Sequence, residues 1–161
     1  MNLTNILALA VPILFALTIH ELSHGMVAYY FGDPTAKNAG RLTLNPLAHL
    51  DPIGTLMIFI VHFGWAKPVP VNPAYLRNPK KDMIWISLAG PASNMVLAFI
   101  TGLLIRVVGL NITDNFTLDF IKMMLYYSLT INLALAVFNL IPIPPLDGSK
   151  ILAGLLPPKY D

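Results

Sequence analysis

An apolar run near the start of the chain is interrupted by ionisable side chains only in its second half. The run reads NILALAVPILFALTIHELSHGMVAYYF, residues 5–31, and the ionisable side chains are His20, Glu21 and His24. A helix needs about 20 mostly apolar residues to cross a bilayer, so we expect Asn5–Phe31 to span a membrane. A cleavable signal peptide is the weaker interpretation, because no Lys or Arg precedes the run and polar residues interrupt it.

The composition of the chain is that of a membrane protein. Of its 161 residues, 56% are hydrophobic and 11% are charged, whereas soluble domains carry about 25% charged residues. The net charge is +2 and the basic residues are scattered, unlike the clustered Lys and Arg of a nucleic-acid-binding protein. No cysteine is present, which excludes disulfides and thiolate metal sites.

Further apolar stretches complete the expected fold. Ile84–Leu110 and Phe120–Ile141 are long enough to span. Ile53–Gly64 has only about a dozen residues, a length typical of a re-entrant element. Arg41–Leu44 and Val69–Asn72 alternate in polarity, which predicts short strands. We therefore expect an all-α membrane protein with three transmembrane helices, a short re-entrant segment and small β-strands.

The sequence His20-Glu21-Leu22-Ser23-His24 predicts a metal site. On a helix, residues i and i+4 project about 40° apart, so two imidazoles at this spacing can hold one ion, with Glu21 placed to act on water. Zinc suits imidazole and carboxylate ligands. A polar cluster that only bonds to neighbouring helices is the alternative, but charged groups cost about 2.5–3.5 kcal/mol at the centre of a membrane helix.

A catalytic zinc usually takes three protein ligands and keeps one position open. The candidates for the third ligand are Asp33, His49, Asp51, His62, Asp82 and Asp147. Asp147 follows prolines at the end of the last span, and prolines there favour an extended segment that can aim a carboxylate inward. An ordinary turn after a helix is the other interpretation of the same residues.

Three motifs together resemble the site-2 protease family of intramembrane metalloproteases, in its compact bacterial and archaeal form. They are the His20–His24 motif, then GPASN at Gly90–Asn94, then NLIPIPPLDG at Asn139–Gly148. The resemblance covers nearly the whole chain. It implies a single metalloprotease core domain over residues 1–161, either a minimal form or one cut short at its end.

The resemblance also implies roles for individual residues. It implies that His20, His24 and Asp147 bind one zinc ion per chain and that Glu21 is the general base. Asn139 would lie near the substrate or the developing oxyanion. Gly90 and Asn94 would help to shape the site, with Asn94 among the substrate-binding residues.

The expected function is hydrolysis of peptide bonds in or near the transmembrane segments of membrane-anchored proteins. A substrate helix must unwind before attack, and the two strands expected near the zinc site, through Leu42 and Val71, would hold the unwound segment by strand addition. A metal-binding or metal-transporting membrane protein, or an inactive relative that only binds, is the alternative. The substrate's identity and the oligomeric state are not encoded in any of these motifs.

The metal site constrains the topology. If His24 and Asp147 bind one ion, the ends of the first and last spans share a side, so the chain crosses an even number of times between them. That leaves Ile53–Gly64 re-entrant. Eight of the ten basic residues fall on the zinc side: Lys37, Arg41, Lys67, Arg77, Lys80, Lys81, Lys150 and Lys159. The positive-inside rule then places the active site towards the cytoplasm, in a multi-pass protein expected in the cell membrane.

Overall fold

The structure is a computed structural model that describes residues 3–54, 57, 66–111, 113 and 115–157. Helices dominate these residues, and we number them in chain order: α1 (Leu3–Tyr30), α2 (Thr35–Asn38), α3 (Pro79–Val108), α4 (Phe116–Asn139) and α5 (Asp147–Leu155). Short 3₁₀ turns at Pro46–Ala48 and Pro73–Tyr75 lie between α2 and α3.

Helices α1, α3 and α4 form a bundle in which each packs against the other two, and α5 packs against α3. Helices α1 and α3 are antiparallel, because His20 contacts Asn94 while His24, further along α1, contacts the earlier residue Ile86. Helix α4 is antiparallel to α3, since Asn94 bonds to Asn132 whereas Thr101 bonds to the earlier residue Ser128. The C-terminal ends of α1 and α4 therefore lie at the same end of the bundle as the start of α3.

The bundle has the inverted polarity of a membrane protein. Small and polar residues fill its interior, among them Ala16, Ala98, Ala136, Asn94 and Thr101. Large apolar side chains such as Phe15, Phe99 and Val137 point outward and are more than half exposed. Lipid-facing helices pack through small residues that let backbones approach closely, so this arrangement fits a bilayer.

The prediction of three spanning helices is confirmed. α1, α3 and α4 are long and apolar enough to cross a membrane, and they extend the predicted spans mainly at their N-terminal ends. The expected re-entrant segment Ile53–Gly64 lies mostly outside the described residues, which include only Ile53, Gly54 and Met57 of it. The connection from α1 to α3 starts and finishes at the same end of the bundle, as a re-entrant element requires.

The prediction of small β-strands is wrong for the described residues. Residues 42–44 form bends, and residues 69–72 have no regular secondary structure and no ladder partner among the described residues. Only an isolated bridge between Leu50 and Ala66 has β pairing there. The physical reason is clear in the second segment. Pro68 and Pro70 have no N–H to donate, and the N–H groups of Val69 and Asn72 donate to side-chain carboxylates instead of to a strand.

Asp33 joins the end of α1 to residues 69–72. Its carboxylate accepts hydrogen bonds from the N–H and hydroxyl of Thr35 and from the N–H of Asn72. Burial raises the pKa of Asp33, but these hydrogen bonds outweigh the burial and hold the pKa below its ordinary value. Asp33 therefore fixes residues 69–72 beside α1, next to Glu21.

Candidate metal centre

Three ligand atoms from three parts of the chain converge at one end of the bundle. The Nε2 atoms of His20 and His24 are 3.0 Å apart, and the Oδ2 atom of Asp147 lies 3.2 Å and 3.1 Å from them. Ligands about 2.0–2.1 Å from a tetrahedral zinc ion are about 3.3 Å from one another. All three residues are buried. The described residues therefore bring together the three ligands that the resemblance implied.

The other ring nitrogen of each histidine is held by an oxygen atom. His24 Nδ1 lies 2.6 Å from the main-chain carbonyl of Ile86, which can only accept, so Nδ1 carries the proton and donates. That assignment leaves a lone pair on Nε2, the atom that faces His20 and Asp147. Ligating histidines are commonly oriented through the second nitrogen in this way.

The tautomer of His20 is set through a chain of two buried amides. The carbonyl of Ser128 accepts from Asn132 Nδ2 at 2.8 Å, so Asn132 Oδ1 must face Asn94. Asn94 Nδ2 then donates to that oxygen and to the carbonyl of Ala16, which turns Asn94 Oδ1 towards His20 Nδ1 at 2.6 Å. His20 Nδ1 therefore donates, and its Nε2 also presents a lone pair.

These assignments make the cluster a good fit to a cation. Two imidazole lone pairs and a carboxylate oxygen point at one another across about 3 Å. These three electron-rich atoms repel one another unless a positive charge lies between them. Gly90 supplies the space for an ion: a Cβ there would lie 2.4 Å from His24 Nε2 and 2.6 Å from His20 Nε2. Borderline-soft zinc suits this set of two nitrogens and one oxygen.

Asp147 reaches the histidines from the first turn of α5. Its carboxyl group is buried, and its Oδ2 atom is the one that faces the two Nε2 atoms. Its other oxygen, Oδ1, lies 3.4 Å from Lys150 Nζ. The prolines end α4 as predicted, but the expected extended segment is wrong, because residues 141–146 form turns and bends.

Comparisons with known proteins agree with this geometry. Residues 106–158 match the family model of Peptidase family M50. YwhC of Bacillus subtilis is 44% identical over 155 residues, which are 93% of this chain and 69% of YwhC. This chain belongs to peptidase family M50. Rip2 of Mycobacterium tuberculosis is 31% identical over 91% of this chain and 56% of its own length.

A more distant relative is the zinc metalloprotease MJ0392 of Methanocaldococcus jannaschii, 29% identical over 90% of this chain and 33% of its own length. The words zinc metalloprotease stand in the names of all three relatives. The chain thus spans about two thirds of YwhC, just over half of Rip2 and a third of MJ0392. No solved structure gives a significant match to the chain.

Membership of the M50 family makes this chain an intramembrane zinc metalloprotease, with zinc as its cofactor and three apolar helices that place it in a membrane. The predictions of the family, the enzyme class and the metal are thereby confirmed. The cluster of His20, His24 and Asp147 is the group among the described residues that could hold the ion.

Most of the other candidates for the third ligand of this M50 chain have structural partners elsewhere. Asp33 bonds to Thr35 and Asn72, and Asp51 accepts from the N–H of Gly54. Asp82 accepts from the N–H of Asn78 at the start of α3, and His49 Nε2 bonds to the carbonyl of Thr43. His62 lies outside the described residues.

A cavity of about 290 Å³ opens beside the metal cluster. Its wall includes Glu21, Asn139 and Val71, three residues with roles implied by the sequence. Glu21 Oε2 accepts from the N–H of Val69 at 2.9 Å. Asn139 donates one amide hydrogen to the carbonyl of Leu135 at 3.0 Å. The ligands, the expected base and two expected substrate contacts thus share one space.

Two of the residues expected to bind substrate lie away from that wall, as far as the described residues define it. Asn94 is 0% exposed and lies behind His20, and both its Oδ1 and its Nδ2 atom are hydrogen-bonded. Leu42 packs over Gly25 of α1, where a Cβ would lie 2.7 Å from its Cδ2 atom. The positions of these two side chains suit support of the site better than contact with a substrate.

The sequence analysis missed Asn132, which links Asn94 to the Ser128 carbonyl. A signal was present, because Asn132 is a polar residue inside an apolar spanning stretch, and such residues usually serve a polar interaction within the bundle. The spacing gave no indication of its partner, since Asn94 and Asn132 lie 38 residues apart.

Proposed function

We propose that this protein cuts peptide bonds in the transmembrane segments of membrane-anchored proteins, with the cavity beside His20, His24 and Asp147 as its active site. One observation carries the proposal: Glu21 and the three converging ligand atoms line the same cavity at one end of a membrane bundle. A base and a metal group in one cavity are what hydrolysis requires.

His20, His24 and Asp147 are the proposed ligands of one zinc ion. When bound, zinc polarises the scissile carbonyl and acidifies water, which is how zinc sites promote hydrolysis at neutral pH. The Nδ1 contacts of the two histidines keep both imidazoles turned towards the ion. Gly90 keeps the space between α1 and α3 open for it.

Glu21 is the proposed general base. It follows His20 directly on α1, and its carboxylate lies on the cavity wall, fixed by the N–H of Val69. It would accept a proton from the attacking water and pass it to the leaving amine. Asn139 has one amide hydrogen bonded to its own helix, which leaves its other hydrogen to stabilise the oxyanion that develops on the substrate.

The segment Val69–Asn72 is the proposed edge along which an unwound substrate lies. It pairs with no strand among the described residues, its last residue Asn72 has an extended backbone, and Val71 lines the cavity. Its main-chain groups can pair with an extended peptide, as in other cases of strand addition. Leu42 and Val69 both pack over Gly25, so Leu42 would support this edge from behind.

The active site is proposed to face the cytoplasm of a cell membrane. Most basic residues lie at the end of the bundle that holds the metal cluster, among them Lys37, Arg41, Arg77 and Lys81. Basic residues beside membrane spans favour the cytoplasmic side.

The test of this proposal is cleavage by zinc-loaded protein in proteoliposomes that also contain a membrane-anchored substrate. Wild type should release a fragment, and Glu21→Gln should not, because an amide keeps the shape of the side chain but cannot accept the proton. Equal cleavage by both would remove Glu21 from its role. Zinc flux across the same vesicles without any cleavage would instead support the alternative of a metal transporter.

A further inference from the structure

Ser87 is a buried hydroxyl residue in the wall of the candidate active site. It lies on α3 one turn before Gly90, on the helix face that also carries Asn94. The side chain is 1% exposed and lines the cavity together with Glu21 and Asp147. Its Oγ atom has no hydrogen-bond partner among the described residues.

The lack of a partner distinguishes Ser87 from other hydroxyl residues in the spanning helices. Five of these donate to a carbonyl three or four residues earlier in their own helix: Thr18, Ser23, Ser93, Thr101 and Thr130. The carbonyl of Met83 lies at the same spacing from Ser87, yet the hydroxyl does not bond to it. A buried polar group without a hydrogen bond lowers the stability of a folded protein. A buried hydroxyl of this kind is therefore expected to have its hydrogen-bond acceptor on a bound ligand.

The chemistry of the cavity indicates what that partner is. The carboxylates of Glu21 and Asp147 only accept hydrogen bonds, and Lys150 is paired with Asp147. A peptide in the cavity presents main-chain carbonyl groups that need donors. Ser87 is one of the few side chains on the wall that can donate a hydrogen bond. It lies on α3, whereas residues 69–72 form the proposed edge for the peptide.

We infer that Ser87 is a substrate-binding residue whose hydroxyl donates a hydrogen bond to a main-chain carbonyl of the peptide held beside the metal cluster. The inference rests on the proposed function. It adds a contact to the substrate backbone from α3, besides the one proposed for the segment that contains Val71. Removal of the hydroxyl then weakens peptide binding without disturbing the metal.

Ligand binding tests this inference without requiring cleavage. The probes are a peptide hydroxamate, which carries main-chain carbonyls, and acetohydroxamate, which carries no peptide. Both are titrated into zinc-loaded wild type, Ser87→Ala and Ser93→Ala, after the zinc content of each has been measured. Ser93→Ala is the matched control, because it makes the same change on the same helix at a hydroxyl that is satisfied by Gly90.

Ser87→Ala should keep its zinc and bind the peptide hydroxamate about 3- to 10-fold more weakly, as expected for one lost neutral hydrogen bond. Acetohydroxamate should bind all three proteins equally, and Ser93→Ala should match wild type with both probes. Ser87→Thr, which keeps a hydroxyl, should bind the peptide more tightly than Ser87→Val, which has nearly the same shape. That pair decides the question if Ser87→Ala loses its zinc.

Equal binding of the peptide hydroxamate by wild type and Ser87→Ala would overturn the inference. So would a loss that is equally large for acetohydroxamate, because Ser87 would then act through the metal cluster. Failure of wild type to cleave any substrate, with the peptide effect of Ser87 intact, would count against the proposed function alone.

Discussion

Gly90 is the residue at which an added side chain should interfere most directly with the proposed metal site. A Cβ at this position would lie 2.6 Å from His20 Nε2 and 2.4 Å from His24 Nε2, too close for either ring to keep its place. Gly90→Ala should therefore lose most of its zinc. Gly102 is the matched control on α3, because a Cβ built there meets no atom of another described element within 4 Å. Gly102→Ala should keep its zinc and be slightly more stable, since Ala favours a helix over Gly by about 1 kcal/mol.

Zinc content of both purified variants, with helix content by circular dichroism, checks this prediction. A folded Gly90→Ala protein that holds zinc as tightly as wild type would show that the ion does not lie between the two imidazoles and Gly90.

At the scale of single residues, the sequence predicted those parts of the site whose geometry follows from local spacing. His20 and His24 share a helix face by covalent geometry alone, and the structure brings them together with Asp147. Asn132 and Ser87 could not be placed in this way, because each depends on contacts between different helices. Only the packing of α1, α3 and α4 brings those groups to the site.

At the scale of elements, α4 is linked to the proposed metal ligand His20 of α1 by way of Asn94 on α3. Asn132→Ala should weaken zinc binding by about 10- to 100-fold, as is typical when a group that orients a metal ligand is removed. Without Asn132, the Asn94 amide loses the shorter of the two hydrogen bonds that turn its oxygen towards His20 and keeps only the one to the Ala16 carbonyl. Thr130→Ala is the control, because the exposed Thr130 hydroxyl donates to the carbonyl of Tyr126 in its own helix. Competition with a zinc chelator measures both affinities, and equal values would contradict the orienting role.

Asp33 connects elements at the same end of the bundle, and its contribution to the free energy of unfolding should depend on pH. Asp33→Asn should lower the free energy of unfolding in detergent by about 1.5–3 kcal/mol at neutral pH, the usual range for hydrogen bonds to a charged group. The pKa of Asp33 is lowered in the folded protein. Its contribution is therefore present above the ordinary pKa of about 4 and is lost as the pH falls through the folded pKa.

Thermal unfolding of wild type and Asp33→Asn across the acid pH range checks the direction of this pH dependence. The difference in stability between the two proteins should shrink as the pH falls. Asp51→Asn is the control, since among the described residues Asp51 accepts a main-chain bond from Gly54 that an amide oxygen can also accept. A difference that stayed constant from neutral to strongly acid pH would contradict the prediction.

The elements that the sequence predicted wrongly are the ones in which polarity alternates without free main-chain donors. Val69–Asn72 has the polarity pattern of a strand, but its main chain has few donors left for a ladder. Pro70 has no N–H, and the carboxylates of Glu21 and Asp33 accept the N–H groups of Val69 and Asn72. The long apolar stretches were predictable, because length and hydrophobicity alone make a spanning helix stable in lipid.

At the scale of the whole molecule, the account requires that the connection from α1 to α3 return to the side on which it starts. The chain has no native cysteine, so single cysteines can replace Asn38, Asn78 or Asn115. The first two should react with an impermeant thiol reagent only from the cytoplasmic face. The Asn115 site, at the start of α4, should react only from the opposite face.

Labelling of the Asn38 and Asn78 sites from opposite faces would make Ile53–Gly64 a true span. Labelling of both from the outer face would keep the fold but reverse the proposed orientation of the active site.

The central claim is that His20, His24 and Asp147 hold one zinc ion while Glu21 acts beside it, and the zinc content of purified protein tests it most directly. Wild type and Glu21→Gln should each contain about one zinc per chain, and Asp147→Ala should contain almost none, because a site with two of its three protein ligands is weak. Asp51→Ala, which changes a carboxylate away from the cluster, should match wild type. A full, tightly held zinc in Asp147→Ala, or its loss from Glu21→Gln, would contradict the account.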